Sequence, residues 1–276
     1  MLSFENIALW DVLPLLTSLV VICPLLCDEN SKLRYYCCYV LYVGWASLVG
    51  IVMSPFFIFR PRNVLNSWCA AEVIKHVSKV IGITYEIRNG HNFSEDRGAV
   101  VCSNHQSIFD VLGMFQIWGL MKKCTAIAKR EVIYVFPFGP AAWLGGVVFI
   151  DRKVSGVAMQ QMQEASKAIQ DNKTKLWIFP EGTRNRNGGK LLPFKKGAFK
   201  IAIECQAPII PVVYSPYYFI SGSKKSFRRG KIVINVLEPI PTTGLTISDM
   251  DTLMEKCYDT MSSAYEALKV EAQNFK

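Results

Sequence analysis

Four short apolar runs, at residues 99–103, 124–128, 147–151 and 176–179, are each followed or closed by polar or charged residues. The gaps between them are about 20 residues, long enough for a crossover helix, so neighbouring runs can pair as parallel strands. Similar runs lie at residues 84–88, 209–214 and 232–237. Two segments carry a helical period instead. After Ser155, one face collects Val157, Met159, Met162, Ala165 and Ile169; near the end, Met250, Leu253, Cys257, Met261, Ala264 and Leu268 form a stripe. The pattern predicts an α/β fold, a mixed and largely parallel sheet of about seven strands flanked by helices. Strands made parallel by crossovers end on one edge of the sheet, the edge where open α/β sheets bind ligands.

Charge is distributed very unevenly along the chain. Residues 1–59 hold two basic side chains, Lys32 and Arg34, and four acidic ones, Glu5, Asp11, Asp28 and Glu29. Residues 60–276 hold 29 basic and 18 acidic side chains, a net charge of +11. Residues 35–59 make 25 consecutive uncharged positions, bounded by Lys32 and Arg34 before and Arg60 and Arg62 after. A helix of that length exceeds a hydrocarbon core of roughly 30 Å. A second apolar stretch at 7–26 is interrupted by Asp11, Pro14 and Pro24, and nothing basic precedes it as a cleaved signal peptide would require. The expectation is a membrane-embedded helical hairpin over 1–59, with helices near 7–26 and 35–59, followed by a basic domain over 60–276. Cations flank both ends of the second helix, so they leave open whether the hairpin spans the bilayer or lies in one leaflet.

The nine cysteines are odd in number and lack zinc-site spacing. They read as reduced thiols, which places the basic domain in a reducing compartment. There is no GxxxxGK[ST], GxSxG, HExxH or EF-hand pattern, and no nucleic-acid module accompanies the basic charge. Anionic lipid headgroups and a phosphate-rich co-substrate explain that charge better than nucleic acid does. The cationic run Lys224, Lys225, Arg228, Arg229 and Lys231 reads as a solvated loop or one resting on anionic lipid.

The strand ends carry the chemistry. Asn104-His105-Gln106-Ser107-Ile108-Phe109-Asp110 holds an HxxxxD spacing. Five residues on one continuous helix lie about 140° out of phase, so His105 and Asp110 meet only if the histidine leaves the strand before the helix begins. An imidazole whose Nδ1–H is held by a carboxylate presents Nε2 as a general base. Ser107 to Asp110 also matches a capping box. Phe179-Pro180-Glu181-Gly182-Thr183-Arg184 supplies a permissive glycine, a hydroxyl and a guanidinium, a set suited to gripping a phosphate. Glu181 could instead pair a neighbouring cation. Lys129, Arg130, Arg152, Lys195 and Lys196 add positive potential for a second, polyanionic ligand.

These stretches, with Ala128-Lys129-Arg130-Glu131, Gly146-Val147-Val148-Phe149-Ile150-Asp151-Arg152 and Pro208-Ile209-Ile210-Pro211-Val212, stand in the order of the four acyltransferase blocks. The chain resembles the 1-acyl-sn-glycerol-3-phosphate (lysophosphatidic acid) acyltransferases of the eukaryotic endoplasmic reticulum over roughly residues 35–240. The resemblance implies transfer of an acyl chain from acyl-CoA to the sn-2 hydroxyl of lysophosphatidic acid, giving phosphatidic acid, with no metal and no permanently bound cofactor. It implies His105 as base oriented by Asp110, and substrate contacts from Glu181, Gly182, Thr183, Arg184, Lys129, Arg130, Arg152 and Lys195. It further implies an endoplasmic reticulum membrane, with the catalytic domain facing the cytosol. An acyltransferase with another lysophospholipid acceptor, a CoA-independent transacylase and a catalytically silent lipid-binding relative remain as alternatives.

Overall fold

A computed structural model describes residues 18, 28–151, 166–186 and 189–275. The expected helix at 7–26, most of the helical face beginning at Val157, and Arg152 lie outside the described residues. The first helix described, α1, is Lys32–Phe57, followed by α2 (Val64–Ile74) and α3 (Val77–Ile81). Then come β1 (Ile83–Arg88), β2 (Ala99–Ser103), α4 (Phe109–Met121), β3 (Cys124–Lys129), α5 (Phe138–Leu144), β4 (Val148–Ile150) and β5 (Lys175–Ile178). The chain closes with α6 (Gly197–Glu204), β6 (Ile209–Tyr214), a small hairpin β7 (Ile220–Ser221) and β8 (Ser226–Phe227), β9 (Gly230–Val236) and α7 (Met250–Gln273).

Seven strands form one sheet in the order β1-β9-β6-β2-β5-β3-β4. β2, β3, β4 and β5 are mutually parallel, and β6 is parallel to β2, so their C-terminal ends open on one edge as expected. β9 runs antiparallel to β6 and parallel to β1, which makes the sheet mixed.

The two-residue alternation of a strand feeds two separate cores. On one side Val101, Trp177, Ile210, Val212, Ile232 and Ile234 pack with α1, α2 and α4 through Tyr42, Ala71, Phe109 and Trp118. On the other, Val100, Cys102, Leu176, Val213 and Val233 meet α6 and α7 through Phe199, Ala202, Leu253, Cys257, Met261 and Leu268. The closing stripe read from the sequence thus faces the sheet, and Tyr265 and Ala272 extend it.

α1 starts earlier than its apolar run suggests, because Ser31 caps it by accepting the N–H of Leu33 at 3.1 Å. Arg34 is therefore not an interfacial flank. It is 1% exposed, its Nε donating to the carbonyl of Phe227 at 2.7 Å and Nη2 to that of Ile81 at 3.2 Å. One stripe of α1, including Tyr35, Cys38, Tyr42, Ala46 and Val49, belongs to the same core as the sheet. The opposite stripe, Leu33, Tyr36, Val40, Val43, Leu48, Ile51, Val52 and Phe56, is exposed and wholly apolar. At 26 residues and a mean hydropathy of 1.8 the helix is long and apolar enough to cross a membrane. α5 lies against its C-terminal half, where a Cβ on Gly50 would stand 3.3 Å from that of Ala141.

The cationic run after β6 is not a free loop. It forms the β7–β8 hairpin, with Phe227 buried against Phe109 and Phe219; Lys231 pairs with Glu86 at 2.9 Å and Arg229 with Glu29 at 3.5 Å.

Candidate active site

The site lies where β2 and β5 end. The chain leaves β2 at Ser103, turns through residues 104–108, and enters α4 at Phe109, so His105 precedes the helix and Asp110 sits in its first turn. That break lets the two side chains meet, with His105 Nδ1 2.6 Å from Asp110 Oδ2. The same oxygen accepts the backbone N–H of Gln106 at 2.6 Å and of Ser107 at 2.9 Å. An oxygen already accepting two backbone donors takes the imidazole contact as an acceptor too, which puts a proton on Nδ1; in the neutral ring the lone pair is then on Nε2. The capping box takes a different form from the expected one. Asp110 reaches back to two N–H groups ahead of the helix, and its charge also suits the positive end of the helix dipole.

His105 is fixed on its other sides by the turn that follows β5. Phe179 stacks on the imidazole with ring centroids 4.1 Å apart and planes 18° apart. Glu181 Oε1 accepts the backbone N–H of His105 at 2.7 Å, and Oε2 accepts that of Leu192 at 3.0 Å. The N–H of Asn185 donates to the carbonyl of His105 at 2.7 Å. Both backbone groups of His105 are thus bonded to the segment that carries Gly182, Thr183 and Arg184. Glu181 differs here from its reading as a substrate contact or cation partner. It is 2% exposed, its two oxygens clasp two loop segments of backbone, and burial raises its carboxyl pKa above the ordinary range.

Gly182 has the left-handed backbone (φ 68°) that the turn requires, and a Cβ there would lie 2.9 Å from Lys195 Cδ, so Lys195 leans over the turn. The N–H of Gly182 donates to the carbonyl of Phe179 at 3.0 Å, so it is committed to the turn itself. Thr183, Arg184 and Lys195 are exposed beside the histidine-bearing turn. Lys129 ends β3 and Arg130 opens the next turn, where it pairs with Asp151 at 2.7 Å. Lys196 points elsewhere, to Asp251 at 2.7 Å.

Three further residues complete the site, and one of them lies outside the motifs. Tyr217, after β6, donates its hydroxyl to Asp110 Oδ1 at 2.6 Å. The Asn104 side chain bridges both backbone groups of Tyr214, at 2.8 and 3.2 Å, and Gln106 Nε2 donates to the carbonyl of Ser215 at 3.1 Å. Burial pushes the phenols of Tyr214 and Tyr217 well above their usual range, with the nearby Asp110 carboxylate adding to the effect. Asn104 and Gln106 stand inside the HxxxxD stretch, whereas Tyr217 has no local signal.

Comparison with known proteins agrees with this architecture. The acyltransferase family model matches residues 84–215, from β1 to just past β6. The human 1-acyl-sn-glycerol-3-phosphate acyltransferase alpha is 37% identical over 248 residues, covering 90% of this chain and 86% of the relative. Its human beta counterpart is 37% identical over 258 residues and 92% of each chain. Among solved structures, the 1-acyl-sn-glycerophosphate (LPA) acyltransferase PlsC from Thermotoga maritima shares the fold, with a TM-score of 0.65 at 21% identity over 86% of this chain and 98% of that one. With its strand order, its histidine-bearing turn and relatives that align over nearly their full length, the chain belongs to the 1-acyl-sn-glycerol-3-phosphate acyltransferase family.

Proposed function

We propose that the protein transfers an acyl chain from acyl-CoA to the sn-2 hydroxyl of lysophosphatidic acid, releasing phosphatidic acid and free CoA. The observation that carries this reading is the Nδ1–Oδ2 contact of 2.6 Å between His105 and Asp110, in a turn bonded to the one that presents Arg184. The acceptor follows from the human relatives, which are 1-acyl-sn-glycerol-3-phosphate acyltransferases.

In this mechanism the lysolipid hydroxyl loses its proton to His105 Nε2 as its oxygen attacks the thioester carbonyl. The new C–O bond gives a tetrahedral oxyanion. Its collapse breaks the C–S bond, and the imidazolium returns the proton to the leaving thiolate, so ester, CoA thiol and neutral histidine are regenerated. Asp110 steadies the imidazolium formed midway. A base so placed contributes typically 10²–10⁴-fold. Arg184, assisted by Lys195 and Thr183, grips the phosphomonoester and so fixes the attacking oxygen. Lys129 and Arg130 lie along the same edge and suit the phosphates of CoA.

The reaction takes place at a membrane surface, with the outer stripe of α1 in lipid and the catalytic domain on the cytosolic side of the endoplasmic reticulum. Unpaired thiols at Cys102, Cys124 and Cys257 support the reducing side. The sequons at Asn92 and Asn172 should then carry no glycan.

The test is thiol release from acyl-CoA by purified protein with lysophosphatidic acid against lysophosphatidylcholine, in wild type, His105→Ala and Arg184→Ala. Preference for the phosphomonoester, loss of turnover in His105→Ala and a raised acceptor KM in Arg184→Ala are expected. Wild-type turnover by a folded His105→Ala protein would remove the base from the mechanism.

A further inference from the structure

We propose that Tyr217 is a positioning residue for the His105–Asp110 pair, holding the carboxylate oxygen that the imidazole does not use. The inference rests on the reading of His105 as general base and adds a member to its machinery from a segment that carries no acyltransferase motif.

The two oxygens of Asp110 are divided between partners. Oδ2 takes His105 Nδ1 and the N–H groups of Gln106 and Ser107, whereas Oδ1 takes the Tyr217 hydroxyl at 2.6 Å. A phenol donating to a carboxylate over that distance makes a short, charge-assisted bond. It fixes the rotation of the carboxylate plane, and with it the direction from which Oδ2 meets the imidazole. It also draws negative charge away from Oδ2. Tyr217 is placed for this by its own anchors. Its ring packs on Phe219 with centroids 6.0 Å apart, and the preceding residues Tyr214 and Ser215 are tied to Asn104 and Gln106.

Removing the hydroxyl has two consequences of definite sign. The carboxylate turns more freely, so fewer encounters find Nε2 aligned with the acceptor, and kcat falls. The carboxylate also holds more charge toward His105 and favours the imidazolium, so the acid limb of the rate profile moves up. Among the described residues, the other titratable groups that feel the charge of Asp110 are the phenols of Tyr42 on α1, Tyr85 on β1, Tyr214 on β6 and Tyr265 on α7, with the Glu181 carboxyl after β5. Burial keeps Tyr85, Tyr214 and Tyr265 neutral across the working pH range, so they do not produce such a limb.

Tyr214 supplies the control. Its hydroxyl also ends at Asp110, but on the backbone carbonyl at 3.1 Å, not on the carboxylate. Tyr217→Phe and Tyr214→Phe are purified in full length and shown by a cooperative melt to be folded. kcat/KM for lysophosphatidic acid with acyl-CoA is then followed against pH. For Tyr217→Phe the expected result is a loss of about tenfold in kcat, KM within about twofold, and an acid limb moved up by roughly half a pH unit or more. For Tyr214→Phe the limb stays in place even if the protein melts lower. An unmoved limb in a folded Tyr217→Phe protein, or an equal shift in Tyr214→Phe, overturns the proposal. Failure of the parent reading is separately visible, because His105→Ala would then retain turnover.

Discussion

Glu181→Ala separates a structural clasp from a substrate contact. In the wild type its two oxygens accept the N–H groups of His105 and Leu192, and its side chain is almost fully buried. Truncation leaves two buried donors without partners, at about 1–3 kcal/mol each. Against that loss, it removes a carboxylate whose raised pKa already records the penalty of burial, so the net destabilisation is about 2–4 kcal/mol. For a domain of this size that lowers the melting temperature by about 4–16 °C. Of the two segments the clasp holds, the one that bears on turnover is that of His105. Freed on one side, the imidazole drifts by a fraction of an ångström to an ångström, and kcat falls by about 10–100-fold. Acceptor KM should stay within about threefold, since Arg184 and Lys195 are untouched. Differential scanning fluorimetry and initial rates on the same preparation give all three numbers. An unchanged melting temperature with a large rise in acceptor KM would refute the clasp and place Glu181 against the substrate.

Two other expectations come from outside the catalytic turn. Arg88 on β1 makes a two-pronged pair with Glu271 on α7, at 2.6 and 2.7 Å, and holds the Glu271 carboxyl below its ordinary range. Stability from a lowered carboxyl is present above the unfolded-state value and is lost as pH falls through the lowered one. Between pH 7 and pH 3 the wild type should therefore lose more stability to urea than Glu271→Gln does, by no more than about 1 kcal/mol given the partial exposure of both side chains; equal losses would show the pair to be idle. Tyr134 and Phe136 are 73% and 79% exposed just ahead of α5, which packs on the apolar helix α1. Tyr134→Ser combined with Phe136→Ser should weaken co-sedimentation with phospholipid vesicles by about tenfold, and undiminished binding would put this tip away from the lipid.

What the sequence disclosed depended on how far apart the interacting groups stand along the chain. His105 and Asp110 are five residues apart across a strand-to-helix break, so their meeting could be argued from local geometry. The same holds for the strands, whose apolar runs are continuous because both faces of a largely parallel sheet are covered. β5 shows the limit of that signal. It begins at Lys175, which reads as polar, yet the lysine is buried with Nζ on the carbonyl of Glu95 at 3.0 Å, and burial lowers its pKa. Arg34 hides its role for a related reason. A cation beside an apolar helix reads as a membrane flank, whereas its acceptors are carbonyls 47 and 193 residues away.

The site follows the same division. A carboxylate in a motif announces charge but not which donors it will meet, and Glu181 took two backbone N–H groups from segments 76 and 11 residues distant. Tyr217 lies 107 residues from Asp110 with no periodicity joining them. It comes into reach because β6 runs parallel beside β2, bringing the residues after both strands to the same edge. The strand order therefore does more than display four motifs together. It lets a segment with no catalytic signature complete the environment of a carboxylate whose direct partner is the proposed base. Residues after β6 should consequently tune the reaction without touching either substrate.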